Sequence, residues 1–105
     1  MNICVYCASS DAVAPVYFRA AETLGRMIAQ RGDTLVYGGA GIGLMGALAR
    51  AVKAGGGHVI GVMPKVLAAE PITFALLDEF VITDNMRERK ARMEALADAF
   101  LVLPG

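Results

Sequence analysis

The chain has 105 residues, enough for one small domain. Its ten basic and ten acidic side chains cancel, so it lacks the electrostatic footprint of a nucleic-acid binder. Gly, Pro and charges interrupt every apolar run short of a membrane span, and MNICVYCASS lacks the basic region and apolar core of a signal peptide, so the expected location is the cytoplasm.

Short apolar runs alternate with helical periodicity, which predicts repeated βα units: an α/β, Rossmann-like domain with a parallel sheet of about five strands. The first strand runs from Ile3 to Ala8 and leads into Ser9, Ser10 and Asp11. Cys4 and Cys7 spell C-x-x-C, but on a strand their odd spacing sends them to opposite faces, which argues against a redox or metal pair. A helix is expected from Pro15, with Tyr17, Ala20, Leu24, Met27 and Ile28 on its apolar face and Gly32 closing it. The second strand is Thr34 to Tyr37. The glycine loop YGGAGIGLMG (37–46) then opens a helix bearing Leu44, Leu48, Ala51 and Val52, ended by Gly55, Gly56 and Gly57. A third strand, His58 to Met63, stops at Pro64. Residues 65–78 read as irregular, with Pro71 breaking any helix. Phe80 to Thr83 is the fourth strand, Asp84 the expected cap of a helix reaching about Ala97, and Phe100 to Leu103 the fifth strand. With no linker or repeat, residues 1–105 read as the N-terminal portion of a single domain, its C-terminal part expected beyond Gly105.

The glycine loop is the first candidate for chemistry. A chain segment that approaches a phosphate closely needs little side-chain bulk and backbone N–H groups to donate, and a following helix N-terminus adds a favourable dipole. Gly38, Gly39, Gly41, Gly43 and Gly46 meet the first need. Gly41, Gly43 and Gly46 also spell G-x-G-x-x-G, but after the second strand rather than the first, and the third strand ends in Val62, Met63, Pro64 and Lys65 without the ribose-binding acid. No Lys-Ser or Lys-Thr follows the glycines, against a Walker-type ATP site. The competing explanation is tight strand–helix packing without a ligand.

The second candidate is an arginine on an apolar stripe. At roughly 100° per residue, Arg89 falls between Met86, Met93 and Leu96, whereas Arg87, Glu88 and Glu94 project elsewhere. A guanidinium there needs an anionic partner, which a ligand phosphate or carboxylate could supply, unless its stem simply covers the core. Glu70, in the irregular segment, also lies at the carboxyl edge of the sheet, though an acid in such a place is more often plain surface. Ser9 and Ser10 could meet a ligand or cap the next helix. His58, away from that edge, is given no chemical role.

Together VYCASS, LVYGGAGIGLMG, GGGHVIGVMP, MRERKARM and ADAFLVLPG resemble the LOG family nearly end to end. These are the cytokinin-activating nucleoside 5′-monophosphate phosphoribohydrolases, many of which carry a lysine decarboxylase label. The pairing of YGG-x-G-x-GLMG with M-x-x-RK-x-x-M at this separation is the specific part. The resemblance implies a Rossmann-like homodimer with its site near the subunit interface, no cofactor and no metal. It implies hydrolysis of the N-glycosidic bond of AMP or a cytokinin nucleotide to free base and ribose 5-phosphate. On it, Arg89 is the catalytic arginine and Lys90 its binding neighbour, Glu70 contacts the nucleotide, and Ser9, Gly38, Gly39, Gly43 and Gly46 bind substrate. Two departures leave these assignments standing: Ala8-Ser9 replaces a Gly-Ser pair, and Arg87 replaces a His. The family's PGG-x-GT-x-x-E motif, with the catalytic glutamate, is matched only by Pro104 and Gly105, so the 105 residues alone are expected to be inactive. Lysine decarboxylation finds no support, because Lys53, Lys65 and Lys90 do not sit in a pyridoxal phosphate setting. A non-catalytic nucleotide- or phosphate-binding module is the alternative, and a dinucleotide oxidoreductase ranks last.

Overall fold

The computed structural model describes residues 1–8, 10, 12–68 and 73–103. Its elements follow in the order β1 (Asn2–Tyr6), α1 (Pro15–Gln30), β2 (Thr34–Tyr37), α2 (Gly43–Ala54), β3 (His58–Pro64), α3 (Lys65–Ala68), β4 (Glu79–Thr83), α4 (Met86–Leu96) and β5 (Ala99–Val102). All five strands are parallel, in the order β4-β3-β2-β1-β5. The chain therefore walks outward from β1 to β4 and returns through α4 to place β5 on the other side of β1. The order reverses between β1 and β5, where α/β sheets open a crevice at the strand ends.

Strand alternation divides the core into two layers. Ile3, Val5, Leu35, Tyr37 and Val59 face α1 and α2 and pack with Ala21, Ile28, Leu44, Leu48 and Val52. Cys4, Val36, Ile60 and Val62 face the other way and pack on Met93 of α4. Cys7 packs on the α1–α2 side, so the two thiols lie on opposite faces, as their spacing predicts.

The apolar face of α1 differs from expectation. Ala21, Gly25 and Ile28 are its buried residues, while Tyr17 and Met27 are exposed. The reason is the closeness of α2: a Cβ on Gly25 would stand 2.6 Å from the Ala51 Cβ and 2.7 Å from the Leu48 carbonyl oxygen. Only small side chains fit that crossing, so the bulkier apolar residues turn outward. The cap of α4 is also corrected. Asn85, not Asp84, is the N-cap, its side chain accepting from the Glu88 N–H at 2.9 Å. Asp84 lies one residue too early and instead pairs with Lys65 at 2.7 Å. The segment read as irregular begins with the single-turn helix α3.

Candidate functional site

At the carboxyl ends of β1 and β2 lies a cavity of about 430 Å³, bordered by Tyr6, Cys7, Gly38, Met45, Met86 and Arg89 among others. β1 delivers Tyr6, the loop after β2 delivers Gly38, and the first two turns of α4 deliver Met86, Arg87, Arg89 and Lys90. Tyr6 stacks on Phe100 of β5 with ring centroids 6.3 Å apart. Burial pushes its phenol up to about 12, so it presents a neutral hydroxyl near pH 7. Burial likewise lifts the Cys7 thiol to about 11, so it is no thiolate nucleophile.

Arg89 is half-buried and held by the ends of two strands. Its Nε donates to the Val62 carbonyl at 2.8 Å, its Nη2 donates to the Gly38 carbonyl at 2.8 Å, and Nη1 lies 3.7 Å from the Met86 sulfur. Among the described residues its partners are carbonyls and a thioether, and none of their carboxylates supplies the anionic partner expected for it. Desolvation lowers its pKa, so a negative charge in the cavity would relieve an existing cost. Two of its five N–H donors are committed to carbonyls and a third faces the Met86 sulfur, leaving two for a ligand.

The glycine loop lies between β2 and α2, as predicted, but most of it is buried. Gly39 (φ 90°) and Gly43 (φ 60°) occupy left-handed conformations that other residues adopt at a cost. Gly38 and Gly46 have a different requirement. A Cβ on Gly38 would strike the Arg89 guanidinium and the end of Met45, and one on Gly46 would strike the Gly41 carbonyl. The backbone N–H groups opening α2 are not all at a ligand's disposal, because Met45 donates to the Ala8 carbonyl at 3.1 Å. Part of the glycine requirement is thus close protein packing.

Of the residues expected from the sequence, Gly38, Arg89 and Lys90 meet at the cavity. Gly39, Gly43 and Gly46 shape the loop behind it, and Ser9 and Glu70 lie outside the described residues. His58 sits at the opposite edge of the sheet, 2.7 Å from Glu79. Tyr6, Met45 and Arg50, which donates to the Gly41 carbonyl at 2.9 Å, escaped the sequence reading. For Tyr6 the available signal was its place at the end of the strand beside the switch point.

An open parallel sheet with a reversal beside its first strand, a glycine loop entering α2 and a cationic cavity at the strand ends defines a Rossmann-like α/β domain. Solved structures agree on the fold. The molybdenum cofactor carrier protein of Chlamydomonas reinhardtii superposes with a TM-score of 0.84 at 24% identity, covering 99% of this chain and 62% of that one. The molybdenum cofactor binding protein of Rippkaea orientalis gives 0.78 at 20% identity, covering 97% of this chain and 60% of that one. Residues 45–105 match the family described as "Possible lysine decarboxylase", and the chain belongs to that family. It is 48% identical over 104 residues to the cytokinin riboside 5′-monophosphate phosphoribohydrolase LOG of Oryza sativa subsp. japonica, covering 99% of this chain and 43% of that protein. It is 47% identical to LOG7 of Arabidopsis thaliana, of the same description, covering 99% and 48%. The chain thus spans about half the length of the curated relatives it matches.

Proposed function

We propose that this chain contributes the glycine loop and the arginine helix of a hydrolase that splits nucleoside 5′-monophosphates into free base and ribose 5-phosphate. The observation that carries the reading is Arg89, a half-buried guanidinium without a carboxylate partner among the described residues, fixed beside Gly38 in the cavity. The names of the relatives support the same chemistry.

In the proposed reaction the bond between C1′ and the base nitrogen breaks, water adds to C1′, and the departing base takes up a proton. The transition state resembles an oxocarbenium ion, which a carboxylate beside the ribose would stabilise. Glu70 is proposed as a nucleotide-contacting acid and Ser9 as a binding hydroxyl. Gly38, Gly39, Gly43 and Gly46 are assigned to the phosphate loop, Gly46 from beneath it. Arg89, anchored through Nε and Nη2, directs its remaining donors at the substrate, and Lys90 adds charge at the cavity rim. No cofactor is called for, and a homodimer follows from the resemblance.

The test is base release from AMP and from isopentenyl-AMP by the full-length gene product, followed by chromatography. Release that is abolished by Arg89→Ala supports the reading. AMP binding without any release supports a non-catalytic nucleotide module instead, and failure to bind AMP overturns both.

A further inference from the structure

Four consecutive carbonyls of the glycine loop are each held by a donor from a different direction. Gly38 O accepts from Arg89 Nη2 at 2.8 Å, and Gly39 O from the Phe74 N–H at 2.8 Å. Ala40 O accepts from the buried Tyr37 hydroxyl at 2.9 Å, and Gly41 O from Arg50 Nη1 at 2.9 Å. A trans peptide unit is planar, with its N–H directed opposite to its C=O. Holding the Gly41 carbonyl therefore also sets the direction of the Ile42 N–H, and Ile42 is the N-cap of α2 and the loop's exposed point.

We propose that Arg50 is a positioning residue: it tethers the Gly41 carbonyl away from the ligand and so orients the Ile42 N–H and the start of α2 towards a phosphate. The role rests on the phosphate reading of the loop given above. Gly46 supplies independent support. It stands one helical turn before Arg50, its missing side chain leaves the space that the Gly41 carbonyl occupies, and an added Cβ would lie 2.9 Å from Arg50 Nη1. Helix α2 thus has a gap at Gly46 and a donor at Arg50 that together seat one carbonyl. Because the guanidinium is exposed and reaches back along its own helix, its task is local geometry rather than core stability.

The experiment compares the wild-type full chain with Arg50→Met, Arg50→Lys and Arg26→Ala, reading backbone order parameters at Gly41 and Ile42, AMP affinity by calorimetry, and Tm. Arg26 borders the α1–α2 groove together with Arg50 and controls for loss of charge alone. Arg50→Met is expected to lower the order parameters towards about 0.6 and to weaken AMP binding about five-fold, with Tm unchanged. Arg50→Lys, which can still donate to the carbonyl, should recover most of both, and Arg26→Ala should change neither. Arg50→Met that binds AMP as the wild type does overturns the role of Arg50 while leaving the phosphate reading intact. So does a loss in AMP affinity matched by Arg26→Ala, or one with undisturbed order parameters. A wild-type chain that does not bind AMP overturns the phosphate reading, and the positioning role with it.

Discussion

Gly38→Ala tests whether Gly38 exists to seat Arg89. The backbone there is not in the left-handed region, so alanine is conformationally acceptable and should gain about 0.4–1 kcal/mol through the unfolded state. Against that, the new Cβ overlaps the guanidinium and stands 2.9 Å from the Met45 sulfur and terminal methyl. Met45 can rotate its flexible end aside at small cost. Arg89 cannot move without giving up its 2.8 Å bond to the Gly38 carbonyl, a bond from a charged donor worth about 1.5–3 kcal/mol when fully buried. With Arg89 half-buried, the lower end applies, and the net effect is a destabilisation of about 1 kcal/mol. That corresponds to a fall in Tm of about 4–8 °C for a domain of this size. In an Arg89→Met background the obstacle is gone and the same Gly38→Ala change should be neutral or slightly stabilising. Urea denaturation of the four proteins of this double-mutant cycle should give a coupling of about 1 kcal/mol or more, well above the roughly 0.3–0.5 kcal/mol scatter of independent sites. An equal cost for Gly38→Ala in both backgrounds would refute the reasoning and assign the glycine to something other than the arginine.

Gly25→Ala should lower the urea midpoint by the equivalent of about 1–2 kcal/mol despite alanine's better helix propensity, because its Cβ meets a backbone carbonyl of α2 that cannot rotate away. An unchanged midpoint would mean that α1 and α2 do not cross this closely. Asn85→Ala should cost about 1 kcal/mol by removing the cap of α4, whereas Asp84→Ala, which breaks an exposed pair with Lys65, should lower the urea midpoint less; the reverse ranking in chemical denaturation would make Asp84 the cap. Acid should destabilise the fold through Asp33 and Asp78. Arg31 and the N-terminal ammonium hold the Asp33 carboxylate below its usual range, and Lys53 does so for Asp78, assisted by the Val59 N–H against the effect of burial. Both groups bind fewer protons folded than unfolded, so their contribution is complete above about pH 4 and is lost as pH falls through the depressed values. Asp33→Asn should flatten the acid limb of a plot of urea midpoint against pH, and an unaltered limb would mean that Asp33 contributes nothing to acid sensitivity.

The order of elements was legible because each carries a local signature: short continuous apolar runs on the strands, as a parallel sheet covered on both faces requires, a period near 3.6 on α2, and glycines at the junctions. What failed were features set by a neighbour. The apolar residues of α1 mark a plausible face, but the face actually buried is chosen by how near α2 stands, and small residues win there against Tyr17 and Met27. The cap of α4 falls one residue after the expected Asp84; Asp84 and Asn85 are equally good capping types in adjacent positions, and the sequence does not distinguish them. Arg50 could not be recognised as a loop tether, since a lone arginine on an exposed helix face reads as solvated surface.

The glycine loop shows why motif and mechanism separate at this site. Glycine allows close approach, but the pattern does not say whether a ligand or the protein itself is approaching. In Gly38 and Gly46 the partners found are protein atoms, the Arg89 guanidinium and the Gly41 carbonyl. Those contacts and phosphate binding are compatible, because a loop whose carbonyls are all occupied from within has its peptide planes fixed before any ligand arrives. The topology explains the spacing of the two motifs as well. Arg89 lies 51 residues after Gly38, and that stretch contains α2, β3, α3 and β4, after which α4 must cross back over the face opposite α1 and α2. Only on that return does a side chain from the first turn of α4 reach the ends of β2 and β3 together. The glycine loop and the arginine helix therefore form one mechanical unit, and a substitution in either should register in the other.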